Sequence, residues 1–270
     1  MKITTKLLIT GLLVLICAIF GYGWHLRTIY HGFHASTDSG NALFDRQTLE
    51  HYGQQLLIEL KRKDVKLAIV SRAGQAREQL PIGVMFTHSA FFRRNERGNY
   101  DVYNLYHGNT NRLRSSLVID KPADFLRLLK ERDAGILIPN VETQNLLHDF
   151  LETSEYSAMH QPDYSLISNP FDLRWQNCNE FMLYAIAAAV WKMTDREKLL
   201  KTLKRKLEPT ELKVSMVRRY YGPKVDERLI LKDQGKKILT TTFSTLTQLL
   251  KKIDRLEESY VFSLIEKTRG

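Results

Sequence analysis

The sequence has few cysteines and lacks the short motifs that define several enzyme classes. Only two cysteines occur among its 270 residues. Cys17 lies in an apolar N-terminal run, so Cys178 is the sole thiol of the rest of the chain and has no intramolecular disulfide partner there. The sequence contains no Gly-x-Ser-x-Gly elbow, no Gly-rich phosphate loop and no His/Cys spacing typical of a metal site. We therefore predict neither a cofactor nor a metal, and Cys178 remains as the distinctive reactive group.

The N-terminus has the pattern of an export segment. Lys2 and Lys6 precede an apolar run that extends from residue 7 to about residue 24. Such a run, about 18 residues long, is at the lower limit for spanning a bilayer. We predict a signal peptide or membrane anchor over 1–24, a linker over 25–41 and a folded body over 42–270. The expected location is the bacterial cell envelope, on the periplasmic side of the inner membrane, with contact to the membrane through the N-terminal segment.

Basic residues are concentrated near the C-terminus. The formal net charge is +10, and residues 191–270 contain 20 Lys and Arg against 11 Asp and Glu. A basic third of this kind could contact anionic lipid, anionic cell-wall polymer or nucleic acid, or could be the solvated face of Lys-rich helices. No motif for nucleic-acid recognition accompanies the charge, so the sequence does not favour nucleic acid as a partner.

Hydrophobic periodicity predicts a mixed order of helices and strands. Helical spacing covers residues 42–63, 122–132, 141–151 and 178–193, and strand patterns cover 66–72, 83–92, 100–107 and 135–139. Residues 194–270 are expected to form a basic, mainly helical extension, with short strands near 228–231 and 238–242. Because strands and helices do not alternate regularly, we predict an α+β fold in which a small antiparallel sheet packs against helices.

Cys178 begins a strongly predicted helix. Asn177 is a good N-cap, and Glu180 three residues later completes the pattern of a capping box. The N-terminus of a helix favours a thiolate, and a nearby histidine is the usual activator of a nucleophilic cysteine. His88, in an apolar strand that places it on one face with Phe86 and Ala90, is the best candidate. The alternatives are an inert buried thiol and a core histidine whose ring nitrogens are satisfied by neighbours.

Residues 87–91 and 177–181 resemble the circularly permuted papain-like thiol hydrolases, namely the NlpC-type peptidases and the relatives of lecithin-retinol acyltransferase. In these enzymes a histidine precedes the cysteine in the chain. A longer resemblance, over about residues 65–195, is to a bacterial family known as domain of unknown function 2145. It rests on residues 71–75, the strand of His88, residues 104–106, 116–125 and 169–180.

The papain-like resemblance implies roles for further residues. A third polar group should orient His88, and Asn104 on the following strand is our choice, with His107 as the rival. Gln176 or Asn177 could help the Cys178 backbone N–H to form an oxyanion hole. Arg72 could bind an acidic substrate group or form a structural salt bridge.

The function expected from these residues is acyl transfer in the envelope. His88 would deprotonate Cys178, and the thiolate would attack an amide, with cell-wall peptide as the first substrate class and a lipid ester or amide as the second. The alternative is a non-catalytic envelope binding protein with the same fold. A secreted toxin-like effector with the same chemistry is a third possibility.

Overall fold

Short apolar runs with polar turns between them form a six-stranded antiparallel sheet in the computed structural model, which describes residues 42–265. The strand order is β4-β3-β2-β1-β5-β8. The six strands are β1 (Leu67–Arg72), β2 (His88–Arg94), β3 (Tyr100–His107), β4 (Ser115–Asp120), β5 (Asp133–Pro139) and β8 (Leu256–Ser263). A separate two-stranded ribbon is made of β6 (Thr210–Leu212) and β7 (Ile238–Thr240).

Eight α-helices lie within the described residues, and together with the sheet they make an α+β fold. They are α1 (Arg46–Arg62), α2 (Pro122–Phe125), α3 (Val141–Phe150), α4 (Ser154–Ala158), α5 (Cys178–Trp191), α6 (Arg196–Lys206), α7 (Met216–Val225) and α8 (Phe243–Lys252). The predicted α+β class is therefore confirmed.

The sheet separates two hydrophobic cores, because side chains alternate between the two faces of a strand. On β2, Ala90 and Phe92 pack in the core that contains α1, whereas Phe91 packs in the core that contains α5. The same alternation runs along β3, where Val102 belongs to the first core and Leu105 to the second. We call these two sides of the sheet the α1 face and the α5 face.

Helix α5 is buried over almost its whole length. Its twelve residues from Cys178 to Ala189 are all buried, so the helix is apolar on every side rather than amphipathic. It ends at Lys192, whose φ of 50° is in the left-handed region that commonly terminates helices. The helix packs across β2 and β3 and is covered by α3 and α6, so its first residue is held firmly against the sheet.

Several sequence predictions are confirmed and several are wrong. Helix α1 and helix α5 occur where the patterns placed them, and the hairpin of β2 and β3 forms, although β2 begins at His88 instead of residue 83 and continues to Arg94. The helix predicted over 122–132 is only the short α2 followed by a 3-10 turn, residues 228–231 form no strand, and strands β4 and β8 were not predicted. Strand β8 pairs with β5, so the basic C-terminal third completes the main sheet.

The predicted N-terminal segments, 1–24 and 25–41, lie outside the described residues. Among residues 42–265, no helix has both the length and the hydropathy that crossing a membrane requires.

Candidate functional site

The beginning of α5 is fixed by its N-cap. The Asn177 side chain accepts a hydrogen bond from the Glu180 backbone N–H at 2.9 Å. Its amide nitrogen donates to the Leu166 carbonyl at 3.3 Å and to the Thr240 hydroxyl at 3.1 Å. The Glu180 carboxyl, which is fully buried, makes no return bond, so only half of the predicted capping box forms. These bonds place the Cys178 sulfur against β2, 3.8 Å from the Thr87 carbonyl oxygen.

A pocket that is open to solvent lies over Cys178. Its walls are largely apolar and include Leu80, Pro81, Val84, Phe86, Leu105, Leu166, Ile167 and Leu212. None of its lining residues, all within residues 42–265, is an Asp, Glu, Lys or Arg. A mostly apolar pocket with a few polar groups is the usual form of a site for a small organic ligand.

Three polar side chains in the pocket contain buried atoms that contact no hydrogen-bond partner within the described residues. They are both amide atoms of Gln75, the Asn179 side-chain oxygen and the Thr241 hydroxyl. Buried polar groups in proteins are nearly always hydrogen-bonded, and each exception needs a reason. Sequence reasoning missed all three as site residues, because nothing in their local pattern distinguishes them from loop or helix-end residues.

The Cys178 thiol is not activated by its surroundings. Burial raises its pKa to about 11, although the N–H groups of Ser89 and Asn179 and the charge of Arg72 lower it. We expected the N-terminus of α5 to favour a thiolate. Desolvation of the charged form outweighs the helix dipole here because the sulfur is enclosed between the helix and the sheet.

The ring of His88 lies on the α1 face. It stacks on Tyr106 with ring centroids 5.0 Å apart and contacts Phe125, a residue of the α1 core, at 5.6 Å. His88 Nε2 is 3.3 Å from the side-chain oxygen of Asn104, so the predicted contact between these two residues is present. Burial and then the charge of Arg72 hold the pKa of His88 well below its usual value. His88 is therefore neutral at physiological pH.

The structure does not bring the Cys178 sulfur and the His88 ring together. Cys178 packs in the α5 core, whereas the His88 ring is among residues of the α1 face, although His88 also borders the pocket at the beginning of β2. The pattern predicted that Phe86 shares a face with His88, and this prediction is wrong. Phe86 precedes β2 and packs edge-on against Phe243, over Gly135. A Cβ at Gly135 would lie 2.6 Å from the Phe86 ring, so glycine is required there.

His107 lies on the same face of the sheet as Cys178. It lines the same pocket, and its ring centroid is 5.3 Å from that of Tyr164. Its Nε2 lies 2.9 Å from Arg228 Nη1 and its Nδ1 lies 3.1 Å from the Gly108 carbonyl oxygen. Since a guanidinium can only donate, Nε2 accepts and Nδ1 donates, which defines a neutral tautomer.

The remaining predicted residues occupy other positions. Gln176 is fully buried, accepts from the Gln161 N–H at 2.8 Å and donates to the Met159 carbonyl at 3.1 Å, so both ends of its amide are used in holding the loop before α5. Asn177 borders the pocket with its side chain committed to the cap. Arg72 extends from β1 on the α1 face, away from the pocket over Cys178.

No group of three His, Cys, Asp or Glu side chains within residues 42–265 is arranged to hold a metal ion.

Residues 59–250 match the model of a family described as an uncharacterized protein conserved in bacteria, DUF2145. The chain belongs to this family. No curated protein and no solved structure matches the sequence. The family membership agrees with the resemblance found over residues 65–195 and extends it in both directions, to include the ribbon of β6 and β7 and most of α8.

Proposed function

We propose that this DUF2145 protein is a bacterial envelope protein that binds a neutral, largely apolar, amide-bearing molecule in the pocket over Cys178. The observation that carries the proposal is the set of polar atoms of Gln75, Asn179 and Thr241 that contact no hydrogen-bond partner among the described residues, in a largely apolar cavity. Location in the envelope rests on the export pattern of residues 1–24.

The polar atoms define the ligand chemistry. The Gln75 amide can both donate and accept, the Asn179 oxygen accepts and the Thr241 hydroxyl does either. A peptide-type amide offers one N–H and one carbonyl oxygen and can satisfy one acceptor and one donor of this set. A charged group would lose its hydration without gaining an opposite charge, since no ionised side chain lines the pocket. An N-acylated amino acid or peptide, or a lipid amide, therefore fits better than a charged cell-wall peptide.

Calorimetry of the full-length chain tests this proposal with two matched probes, N-octanoyl-alanine methylamide and the ester in which oxygen replaces the acyl N–H. A buried acceptor left without its donor costs about 1–3 kcal/mol, so the amide should bind about tenfold more tightly or better. Gln75→Leu should remove that preference. Gln79→Leu, the same change at an exposed residue outside the pocket, should retain it. Equal affinity of the unaltered protein for both probes, or no binding of either, would overturn the proposal.

Thiol acyl transfer is the second candidate function. It is favoured by the position of Cys178 as the first residue of α5, with the backbone N–H groups of Ser89 and Asn179 near its sulfur. The permuted papain-like architecture belongs to this candidate, because a helix that begins with cysteine packs against an antiparallel sheet. Because both ring nitrogens of His107 are engaged, by the Arg228 guanidinium and by the Gly108 carbonyl, the Cys178 proton would pass through water to the leaving amine. The thiolate would attack the carbonyl carbon, and water would then release the acyl group.

The two candidates differ in their dependence on the sulfur. If the protein only binds, Cys178→Ala leaves the affinity for the octanoyl amide within about twofold and no acyl product accumulates with either form. If it is a hydrolase, the unaltered protein releases octanoate and Cys178→Ala abolishes that release while binding persists. Mass spectrometry of the reaction mixture, with Cys178→Ser as a second variant of nearly equal volume, separates these outcomes.

A further inference from the structure

A second pocket lies on the α1 face of the sheet, beside the end of β1. Its lining includes Arg72, Tyr106, Ser116, Asp120, Asp124 and Arg127. It shares only His107 with the pocket over Cys178, and the sheet separates the two. The proposed binding of a neutral amide makes no use of it.

Arg72 is the unusual residue of this second pocket. Only 1% of its surface is exposed, and its Nε and Nη1 atoms contact no hydrogen-bond acceptor among the described residues. Its guanidinium lies 5.3 Å from the centre of the Phe125 ring. A cation over an aromatic face gains less free energy than the removal of an ion from water costs, even in relaxed proteins. The ring therefore offsets only part of the cost of burying Arg72.

The acidic groups of the pocket are occupied by other partners. Asp120 accepts hydrogen bonds from the Tyr106 hydroxyl at 2.9 Å and from the Asn104 amide at 3.2 Å. Asp124 forms an ion pair with Arg46 at 2.5 Å. Arg127, which is exposed, adds a second positive charge to the lining. With Asp124 balanced by Arg46, the two arginines of the pocket outnumber the remaining carboxylate.

From this arrangement we propose that the α1-face pocket binds a small oxyanion, a carboxylate or a phosphate, on the partnerless N–H groups of Arg72. A guanidinium suits planar or tetrahedral oxyanions because its donors are fixed in one plane. The Arg127 side chain would add charge at the entrance, and the Tyr106 and Ser116 hydroxyls would border the ligand. The site differs from the pocket over Cys178 both in position and in the charge of the ligand it takes.

Thermal unfolding of the full-length chain tests the proposal. Inorganic phosphate and acetate are titrated separately against chloride at constant ionic strength. We expect at least one of them to raise the unfolding midpoint in a saturable manner, because a ligand that binds only the folded state stabilises it. The two titrations tell a phosphate site from a carboxylate site. A midpoint that stays at its chloride value with both anions would overturn the proposal.

Variants assign the effect to the pocket. Arg72→Met should raise the half-saturating anion concentration by about tenfold or more, since hydrogen bonds to charged groups are among the strong ones. If that variant fails to fold, Arg72→Lys and Arg127→Gln replace it, and each should weaken the anion effect by a smaller factor. Arg205→Gln, an exposed arginine of α6 outside the pocket, should leave it unchanged, as should Gln75→Leu in the other pocket. Equal anion effects in the Arg72 and Arg205 variants would contradict the assignment.

Discussion

The two faces of the sheet carry pockets with opposite electrostatic character. On the α5 face, the lining consists of apolar side chains, two histidines, a protonated thiol and uncharged amide and hydroxyl groups. On the α1 face, the lining contains two arginines and two aspartates. Residues that are neighbours in sequence serve different sides, because the His88 ring lies on the α1 face while the Ser89 N–H is near the Cys178 sulfur. The faces can therefore recognise chemically different ligands only a sheet thickness apart.

Buried ionisable groups on the two sides avoid an unpaired charge in different ways. The Glu180 side chain on α5 is fully buried, and burial raises its pKa well above the usual value, which favours the protonated carboxyl. A guanidinium cannot lose its proton at physiological pH. Arg72 therefore needs a counter-charge or an acceptor, whereas Glu180 needs only a proton. The unsatisfied N–H groups of Arg72 are the physical reason for assigning an anion to the α1-face pocket, which Arg72 lines, whereas Glu180 does not line the pocket over Cys178.

The largest expected effect is slow alkylation of the Cys178 thiol, which is buried and has no histidine partner in His88. With the Cys178 pKa raised from its ordinary value to about 11, its thiolate fraction near neutral pH falls by at least about 100-fold. Iodoacetamide should therefore alkylate Cys178 in the folded full-length chain about 100-fold more slowly than it alkylates the same thiol in denaturant. The rate is measured by mass spectrometry of the fragment that contains Cys178.

The same measurement tests the role of His88. Because its ring is on the α1 face, His88→Gln should change the alkylation rate by less than about twofold. Gln keeps a polar group for Asn104, and the matched variant is His51→Gln, on the partly exposed surface of α1. A tenfold loss of reactivity in His88→Gln alone would mean that imidazole and sulfur do interact, and would restore the pair expected from the sequence.

Next in size is the pH dependence that Glu180 adds to stability. Above the ordinary carboxyl pKa of about 4.3, the unfolded chain releases a proton that the folded protein keeps. The free energy of unfolding should therefore fall as pH rises through the interval between the unfolded and the raised folded pKa, by at most about 1.4 kcal/mol per pH unit. Glu180→Gln, which cannot ionise, should remove that slope and unfold at higher denaturant concentration near neutral pH.

Urea unfolding at several pH values between about 4 and 8 measures this slope. Glu197→Gln, an exposed residue in the first turn of α6, is the control and should retain the slope of the unaltered protein. Parallel pH profiles for the unaltered protein and Glu180→Gln would show that the carboxyl is ionised in the fold. The contrast between Glu180 and Arg72 would then be lost.

The sequence predicted local structure better than spatial relations. The cap at Asn177, helix α5 and the two faces of β3 depend on residues close together in the chain, and each was predictable from spacing. Placement of His88 depended on where β2 begins and on which face α5 covers, and neither is contained in a local pattern. Strand β8 escaped prediction because residues 256–263 include charged and hydroxyl side chains, and it is an edge strand stabilised by pairing with β5.

Helix capping was also only partly predictable. The pattern Asn177 followed by Glu180 matched a capping box, but the glutamate side chain lies in the interior instead of bonding back to the cap. Burial alone does not prevent such a return bond, since the buried Thr245 hydroxyl accepts from the Thr242 backbone N–H at 3.1 Å at the beginning of α8.

The smallest expected effect distinguishes Asn177 as a cap from Asn177 as a ligand-binding group. Asn177→Ala removes the side-chain acceptor for the Glu180 N–H and the donors to Leu166 and Thr240, and should lower the free energy of unfolding by about 1–2 kcal/mol. Asn177→Asp keeps the cap acceptor and loses the donors, so it should recover part of the lost free energy of unfolding.

Urea unfolding measures the stability of both variants, and calorimetry with the octanoyl amide measures their ligand affinity. Since the Asn177 amide already has its partners, neither variant should weaken the ligand more than about threefold once folded. A tenfold weakening at unchanged stability would instead place Asn177 among the groups that contact the ligand.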